Sequence, residues 1–329
     1  MNNSTPYIIA EVANCHDGNL QYIFELIDMI RYGNFDFIKF QVFDPDQLVT
    51  KDHPKYNSYV EKSFSIDEWK KIIQKCNSYN LKYIFDVFDL KSFHMVYENF
   101  NASGYKIHTT VSDDSDLIEK LNKNNNVVFL SASTLRKNQI SKAIKTLNKC
   151  NVVLMIGHQN FPTKLEETHL NLIDLYQIEF PKNDIGLQDH VSADDFMSKI
   201  VPFMAYSKGC KWIEKHVNLD RSMKKTDYYS SLNPKEFCDF CMNLKRSTKC
   251  FGKRNFDLTK DQKLYLNKNK KYAVYKTNLS KNHIITLNDV CFKRTKTPGI
   301  LREQFEDFFD KKLIKKVKLD QIASLEDFQ

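Results

Sequence analysis

Eight short apolar runs in this 329-residue sequence end in polar or charged side chains. In chain order these ends hold Glu11; Lys39 and Gln41; Asp86 and Asp89; Lys106, His108 and Thr109; Ser131 and Ser133; His158, Gln159 and Asn160; Gln188, Asp189 and His190; and Glu214, Lys215 and His216. A polar group left dry there costs about 1–3 kcal/mol, so the set points to a shared polar cavity. Lys39 within DFIKFQV and Lys106 within YKIHTT are flanked by apolar residues. Two such cations suit an anion, phosphate or carboxylate. His190 and His216 close consecutive runs. Each could be a hydrogen-bonded core imidazole, or the two could face one cavity and share a divalent ion. Two imidazoles with nearby carboxylates suit partly hydrated Mn²⁺ or Mg²⁺ better than a closed zinc site. Asp189 and Glu214 either orient those imidazoles or bind the ion themselves. Glu11, followed by NCHDGN, suits acid–base work or the holding of sugar hydroxyls, and His16 and Asp17 form either a polar turn or part of the site.

The elements that position these groups alternate along the chain. Strands are expected at 7–13, 36–42, 82–88, 105–110, 127–133, 152–158, 184–190 and 211–217. Amphipathic helical patterns fill the gaps, from LQYIFELIDMIRYG to PKEFCDFCMNLKR. Ser65 and Asp116 are the expected N-caps of two helices, and Gly33 and Gly209 the stops after two others. Eight strands that each feed a helix predict an α/β fold, a parallel (β/α)8 TIM barrel with its chemistry at the C-terminal strand ends. An open doubly wound sheet fits less well, because no glycine-rich phosphate loop follows the first strand. The expected domains are a catalytic barrel over 1–255, a linker over 256–270 and a small mixed α+β domain over 271–329. The last holds short strands, one acidic helix (REQFEDFFD) and a basic tail.

Composition excludes several classes. A hydrophobic share of 42% supplies a globular core and removes the case for disorder. The eight cysteines lack the spacing of a disulfide framework, there is no leader pattern, and no apolar run of about 18 residues could span a membrane. A reduced, cytoplasmic protein is expected. Cys238 and Cys241 lie in a helical pattern without a second pair, which reads as core-facing rather than as a zinc or redox site. The net charge of +8 suits an anionic substrate or a nucleic acid equally well and decides little alone, but no aromatic–basic strip supports nucleic-acid binding.

Taken in order, IIAEVANCHDGN, FIKFQ, YKI, FLSAS, NFPT, IGLQDH and IEKH with TDYYSSLNPKEF resemble the sialic acid synthase (nonulosonate synthase) family. TNLSKNHIITLNDVCFKR followed by PGI resembles that family's C-terminal antifreeze-like (SAF) domain. The likeness spans nearly the whole chain. It implies a metal-dependent barrel that condenses phosphoenolpyruvate with an aldehyde sugar such as N-acetylmannosamine, yielding a 2-keto-3-deoxy acid and phosphate. His190 and His216 would bind the divalent ion, Mn²⁺ first, with Mg²⁺ or Co²⁺ as substitutes. Glu11, Lys39 and Lys106 would be catalytic. Lys39, Lys106, Thr109, Ser131, Gln159 and Gln188 would hold phosphoenolpyruvate, and Glu11, Gln41, Phe161 and Asp227 the sugar. Arg294 would reach the site from the second domain of a domain-swapped homodimer.

The chain also departs from the family pattern. Cys15-His16 follows the first-strand glutamate where Asn-His is usual, Phe85-Asp86-Val87 replaces Ser-Thr-Pro, and His108-Thr109-Thr110-Val111 replaces Gly-Ser-Gly-Glu. Gln188 stands for a serine and Phe161 for a tyrosine. An aspartate beside phosphate is repulsive unless protonated or bridged by a cation. Two alternatives follow: a metal-dependent aldol reaction on pyruvate or another 2-oxo acid, and a catalytically silent barrel kept as a binding or scaffold subunit.

Overall fold

Eight buried strands close into a parallel barrel in the computed structural model, which describes residues 5–122, 126–157, 160 and 162–328. They are β1 (Tyr7–Ala13), β2 (Phe37–Val42), β3 (Lys82–Val87), β4 (Gly104–Ile107), β5 (Val127–Ser131), β6 (Asn151–Ile156), β7 (Asp184–Asp189) and β8 (Trp212–His216). Each pairs with its neighbour in chain order, and β1 closes on β8. The fold is therefore the expected (β/α)8 TIM barrel. The strands read as near-continuous apolar runs because both faces are covered.

Strand alternation sorts the side chains into two layers. Ile8, Ala10 and Val12 of β1 and Ile38, Phe40 and Val42 of β2 belong to the main core under the helices. The opposite face holds a separate apolar plug of Ile9, Phe37, Ile84, Phe129, Val153, Met155 and Trp212 inside the barrel. Gly186 suits this crowded layer, since a Cβ would lie 2.4 Å from Met155 Sδ and 2.9 Å from Trp212 Cβ, and those side chains would have to shift. Two residues further along β1, β2, β3 and β8, the same inner face carries Glu11, Lys39, Asp86 and Glu214. The plug thus floors the polar layer.

The helices follow their apolar periodicity, with local corrections. Ser65 caps the helix Ile66–Ser78 in a capping box with Glu68. The helix Ser115–Leu121 is capped by Asp114, not Asp116, because the Asp114 side chain reaches Leu117 N. β4 stops at Ile107, so Thr109 and Thr110 are not in the strand. His108 accepts from Thr110 N and starts a 3₁₀ turn at Thr109–Val111. Two short helices, Pro45–Leu48 and Tyr56–Lys62, lie where no element was expected, and neither contains a fully buried residue. Cys241 is buried and Cys238 half-buried against Ile30, so the C-x-x-C faces the core.

The described chain divides into two compact units, Met1–Gly252 and Lys253–Gln329. The second contains a helix (Lys260–Asn269) and an antiparallel pair, β9 (Tyr272–Tyr275) and β10 (Val290–Lys293). Its own core includes Tyr275, Val290, Phe305 and Leu313. The acidic helix is shorter than REQFEDFFD promised, one α turn at Arg302–Phe305 followed by a 3₁₀ turn. Only Phe305 of that turn is buried.

Candidate active site

The C-terminal mouth of the barrel holds a cavity of about 530 Å³. Its lining includes Glu11, Lys39, Gln41, Asp86, Lys106, His190, Glu214, His216 and Asp227. Strand register explains the gathering. Glu11 pairs with Lys39 on one side and with His216 on the other, Gln41 pairs with Asp86, and Asp86 with Lys106.

Five charges form one buried network at the cavity floor. Lys39 Nζ lies 2.6 Å from Glu11 Oε2, 3.0 Å from Asp86 Oδ2 and 3.2 Å from Glu214 Oε1. Lys106 Nζ donates to both Glu214 oxygens, at 2.8 and 3.1 Å, and stands 4.0 Å from Asp86 Oδ2. Burial alone would raise the Glu214 carboxyl, but Lys106 and Lys39 outweigh it and hold it well below the usual carboxylate range. The Lys106 ammonium is held up in turn by Glu214 and Asp86 against the pull of burial. Glu11 Oε1 and Asp86 Oδ1 are buried without a hydrogen-bond partner among the described residues. Such acceptors demand a donor, and an entering hydroxyl or ion can supply the interaction.

His190 and His216 lie side by side, with ring centroids 5.1 Å apart. Burial first, and the neighbouring His190 second, push His216 well below the ordinary histidine range. It is neutral near pH 7, the form that ligates metals. Among the described residues, no group of three or more His, Cys, Asp or Glu side chains is arranged to hold a metal. A divalent ion here would have two imidazoles from the protein and complete its shell with water and substrate oxygen. The donor set fits such an ion.

The two acid–histidine endings do not play parallel roles. Glu214 shares the inner face with His216 and engages the lysines. Asp189 is opposite in parity to His190, and its buried carboxylate is ion-paired with Lys215. It therefore neither orients His190 nor reaches an ion in the cavity. Gln188, on the inner face, donates from Nε2 to Ser131 Oγ (2.9 Å) and Ser133 Oγ (2.8 Å). The Thr109 hydroxyl meets Ser131 Oγ at 2.7 Å. None of Thr109, Ser131 and Gln188 is among the described residues lining the cavity. Gln159 and Phe161 lie outside the described residues. Arg294 is exposed, just after β10 in the second unit.

Loops after β1 and β8 build the rim. Asn14 Nδ2 donates to Gln41 Oε1 at 2.7 Å, fixing the amide beside the cavity. Asp227 sits in the left-handed region (φ 63°), and burial raises its carboxyl above the usual range. Thr226 Oγ1 donates to Asp17 Oδ1 at 2.7 Å, and Lys62 lies 3.6 Å from the same oxygen. Asp17 thereby joins the two loops to the helix Tyr56–Lys62. His16 is a turn residue, accepting from Gly18 N and packed on Phe64. Lys55, Ser58, Tyr59 and Lys62 line the cavity from a segment that carried no sequence expectation. The cluster of lysines with Ser58 and Tyr59 in KYNSYVEK was the available signal.

A closed barrel with a charged, water-accessible cavity at its C-terminal strand ends has the form of a (β/α)8 enzyme. The profile of the NeuB family matches residues 26–256. The N,N'-diacetyllegionaminic acid synthase of Campylobacter jejuni is 25% identical over 334 residues, covering 96% of this chain and 98% of that one. The human N-acetylneuraminate-9-phosphate synthase is 22% identical, covering 95% and 90%. The crystal structure of the N-acetylneuraminic acid synthetase of Leptospira borgpetersenii superposes with a TM-score of 0.73 at 22% identity, covering 81% of this chain and 92% of that one. The chain belongs to the NeuB family, and membership makes it a carbon–carbon bond-forming transferase of the sialic acid synthase kind.

Proposed function

We propose that this protein condenses phosphoenolpyruvate with an aldehyde sugar of the N-acyl hexosamine type, giving a nonulosonic 2-keto-3-deoxy acid and phosphate. The observation that carries the reading is the convergence of two buried lysines and two adjacent imidazoles on one barrel-mouth cavity. Lys39 and Lys106 neutralise the donor's carboxylate and phosphate. Glu11, whose Oε1 awaits a donor, works with Gln41 and Asp227 on the acceptor's hydroxyls. C3 of the donor bonds to the aldehyde carbon, and the aldehyde oxygen takes up a proton. Water then adds at C2, and the C2–O bond breaks to release phosphate. His190 and His216 would hold a divalent ion, Mn²⁺ before Mg²⁺ or Co²⁺, which supplies Lewis-acid polarisation of the aldehyde when bound.

In the same reading the second unit is an SAF-like domain, and its Arg294 serves a partner subunit's cavity in a domain-swapped homodimer in the cytoplasm. Among the described residues no helix is long and apolar enough to cross a membrane. The test is phosphate release from phosphoenolpyruvate with Mn²⁺ and a panel of N-acyl hexosamines and other aldehyde sugars. Release that requires one acceptor is expected, and no release with any acceptor would sink the proposal.

A further inference from the structure

Above its charged floor the cavity changes character. Two residues beyond Gln41, Asp86 and Lys106, and again on the cavity side, come Phe43, Phe88 and His108, with Tyr59 beside them. Their rings form one arc. Tyr59 meets Phe43 edge-on at 5.6 Å between centroids, Phe43 meets Phe88 edge-on at 6.2 Å, and Phe88 stacks on His108 at 4.7 Å and 26°. In the closed eight-strand ring β3 and β4 stand opposite β7 and β8, so the arc faces His190 and His216 across the mouth.

The unpartnered oxygens Glu11 Oε1 and Asp86 Oδ1 suit hydroxyl groups. The arc suits something else, because it presents ring surface and one ring nitrogen. His108 Nδ1 accepts from Thr110 N at 3.3 Å and lies 2.9 Å from Thr110 Oγ1. Burial holds the imidazole below the ordinary histidine range, so near pH 7 it is neutral and its proton sits on Nε2. Among the described residues nothing accepts from that Nε2–H. A donor beside apolar rings matches a carbonyl oxygen carried on a small apolar group.

We propose that the Phe43–Phe88–His108 arc is the subsite that reads an acylamino substituent on the acceptor, with His108 as its specificity-determining residue. The acyl carbonyl oxygen accepts from His108 Nε2, and the acyl carbons lie on the Phe88 and Phe43 rings. A bare hydroxyl at the same sugar carbon covers none of that ring surface. This rests on the reading that the cavity takes an aldehyde sugar, and it adds which wall recognises which group.

The experiment is saturation-transfer and titration NMR of the full-length protein with N-acetylmannosamine and N-acetylglucosamine, each beside its parent hexose, for wild type, His108→Phe and Phe88→Leu. Wild type is expected to bind at least one N-acetyl sugar about fivefold or more tighter than its parent hexose, with the acetyl methyl receiving the strongest transfer. His108→Phe keeps a ring on Phe88 and removes the donor. It should weaken that N-acetyl sugar about fivefold, equal to about 1 kcal/mol, and leave the parent hexose within about twofold. Phe88→Leu should lower transfer to the acetyl methyl relative to the sugar-ring protons. Circular dichroism establishes which variants are folded. His108 also starts the 3₁₀ turn, so if His108→Phe does not fold, Phe88→Leu decides, and if neither folds, the wild-type transfer pattern decides. Equal weakening of both sugars, unchanged binding in the folded variants, a methyl that receives no more transfer than the ring protons, or no sugar binding by wild type overturns the proposal. Binding through His108 without phosphate release loses the synthase reading and keeps the subsite. Phosphate release that is as fast with acceptors lacking an acyl group keeps the synthase reading and loses the subsite.

Discussion

Replacing Lys39 by methionine removes the one ammonium that touches three buried carboxylates, at 2.6, 3.0 and 3.2 Å. Glu11, Asp86 and Glu214 are then left to Lys106 alone, with a deficit of two positive charges instead of one. Removing one partner of a buried pair costs about 3–5 kcal/mol, because the remaining charge stays desolvated. Asp86→Asn alone costs less, since it leaves two lysines facing two carboxylates. The double variant removes a cation and one of the carboxylates it served. It should be more stable than the sum of the single effects by about 1–3 kcal/mol. Guanidinium titration followed by tryptophan fluorescence reads this in the right unit. Both tryptophans, Trp69 and Trp212, are buried in the barrel, and Trp212 lies in the plug beneath the network. Additivity within about 0.5 kcal/mol would show that the five charges do not act as one network.

Other outcomes follow from the same geometry. His190→Ala and His216→Ala should each weaken Mn²⁺ binding by at least about tenfold, read by electron paramagnetic resonance of free Mn²⁺; unchanged binding would remove the imidazoles from the ion site. His16 is held down to about 4 by burial, so it stays neutral in the fold while the unfolded chain takes a proton near 6.5. Its contribution to stability is complete above about pH 6.5 and is lost as pH falls toward 4, about 3 kcal/mol in all. His16→Asn should flatten that part of the stability–pH curve, and an unchanged slope would assign it to other groups. Gly18 has φ +81°, and a Cβ there would lie 2.0 Å from Glu61 O. Gly18→Ala should therefore cost about 2 kcal/mol and lower the melting temperature, and a neutral result would contradict that close approach.

The barrel was legible because strands covered on both faces must be almost wholly apolar, so eight runs stood out and polar residues at their ends were conspicuous. Parity was legible too. His190 and Gln188 share a face, and so do His216 and Glu214, which leaves Asp189 and Lys215 to find each other outside the barrel. Reading the acid–histidine endings as matched pairs missed this. The helices at Pro45–Leu48 and Tyr56–Lys62 were silent for a different reason. They bury no residue fully and so need no apolar stripe, although the second brings Lys55, Tyr59 and Lys62 to the cavity. The turn at Thr109–Val111 is fixed by the His108 side chain, a local bond that no periodicity encodes.

The proposed reaction joins a three-carbon donor to an aldehyde sugar in this cavity. Mass spectrometry of reactions with ¹³C-labelled phosphoenolpyruvate, a divalent ion and the acceptor panel tests it most directly. A new 2-keto acid carrying the labelled carbons and the whole acceptor is expected, absent when Lys106 is replaced by methionine. Label found only in unreacted donor or free pyruvate, with every acceptor, would contradict it.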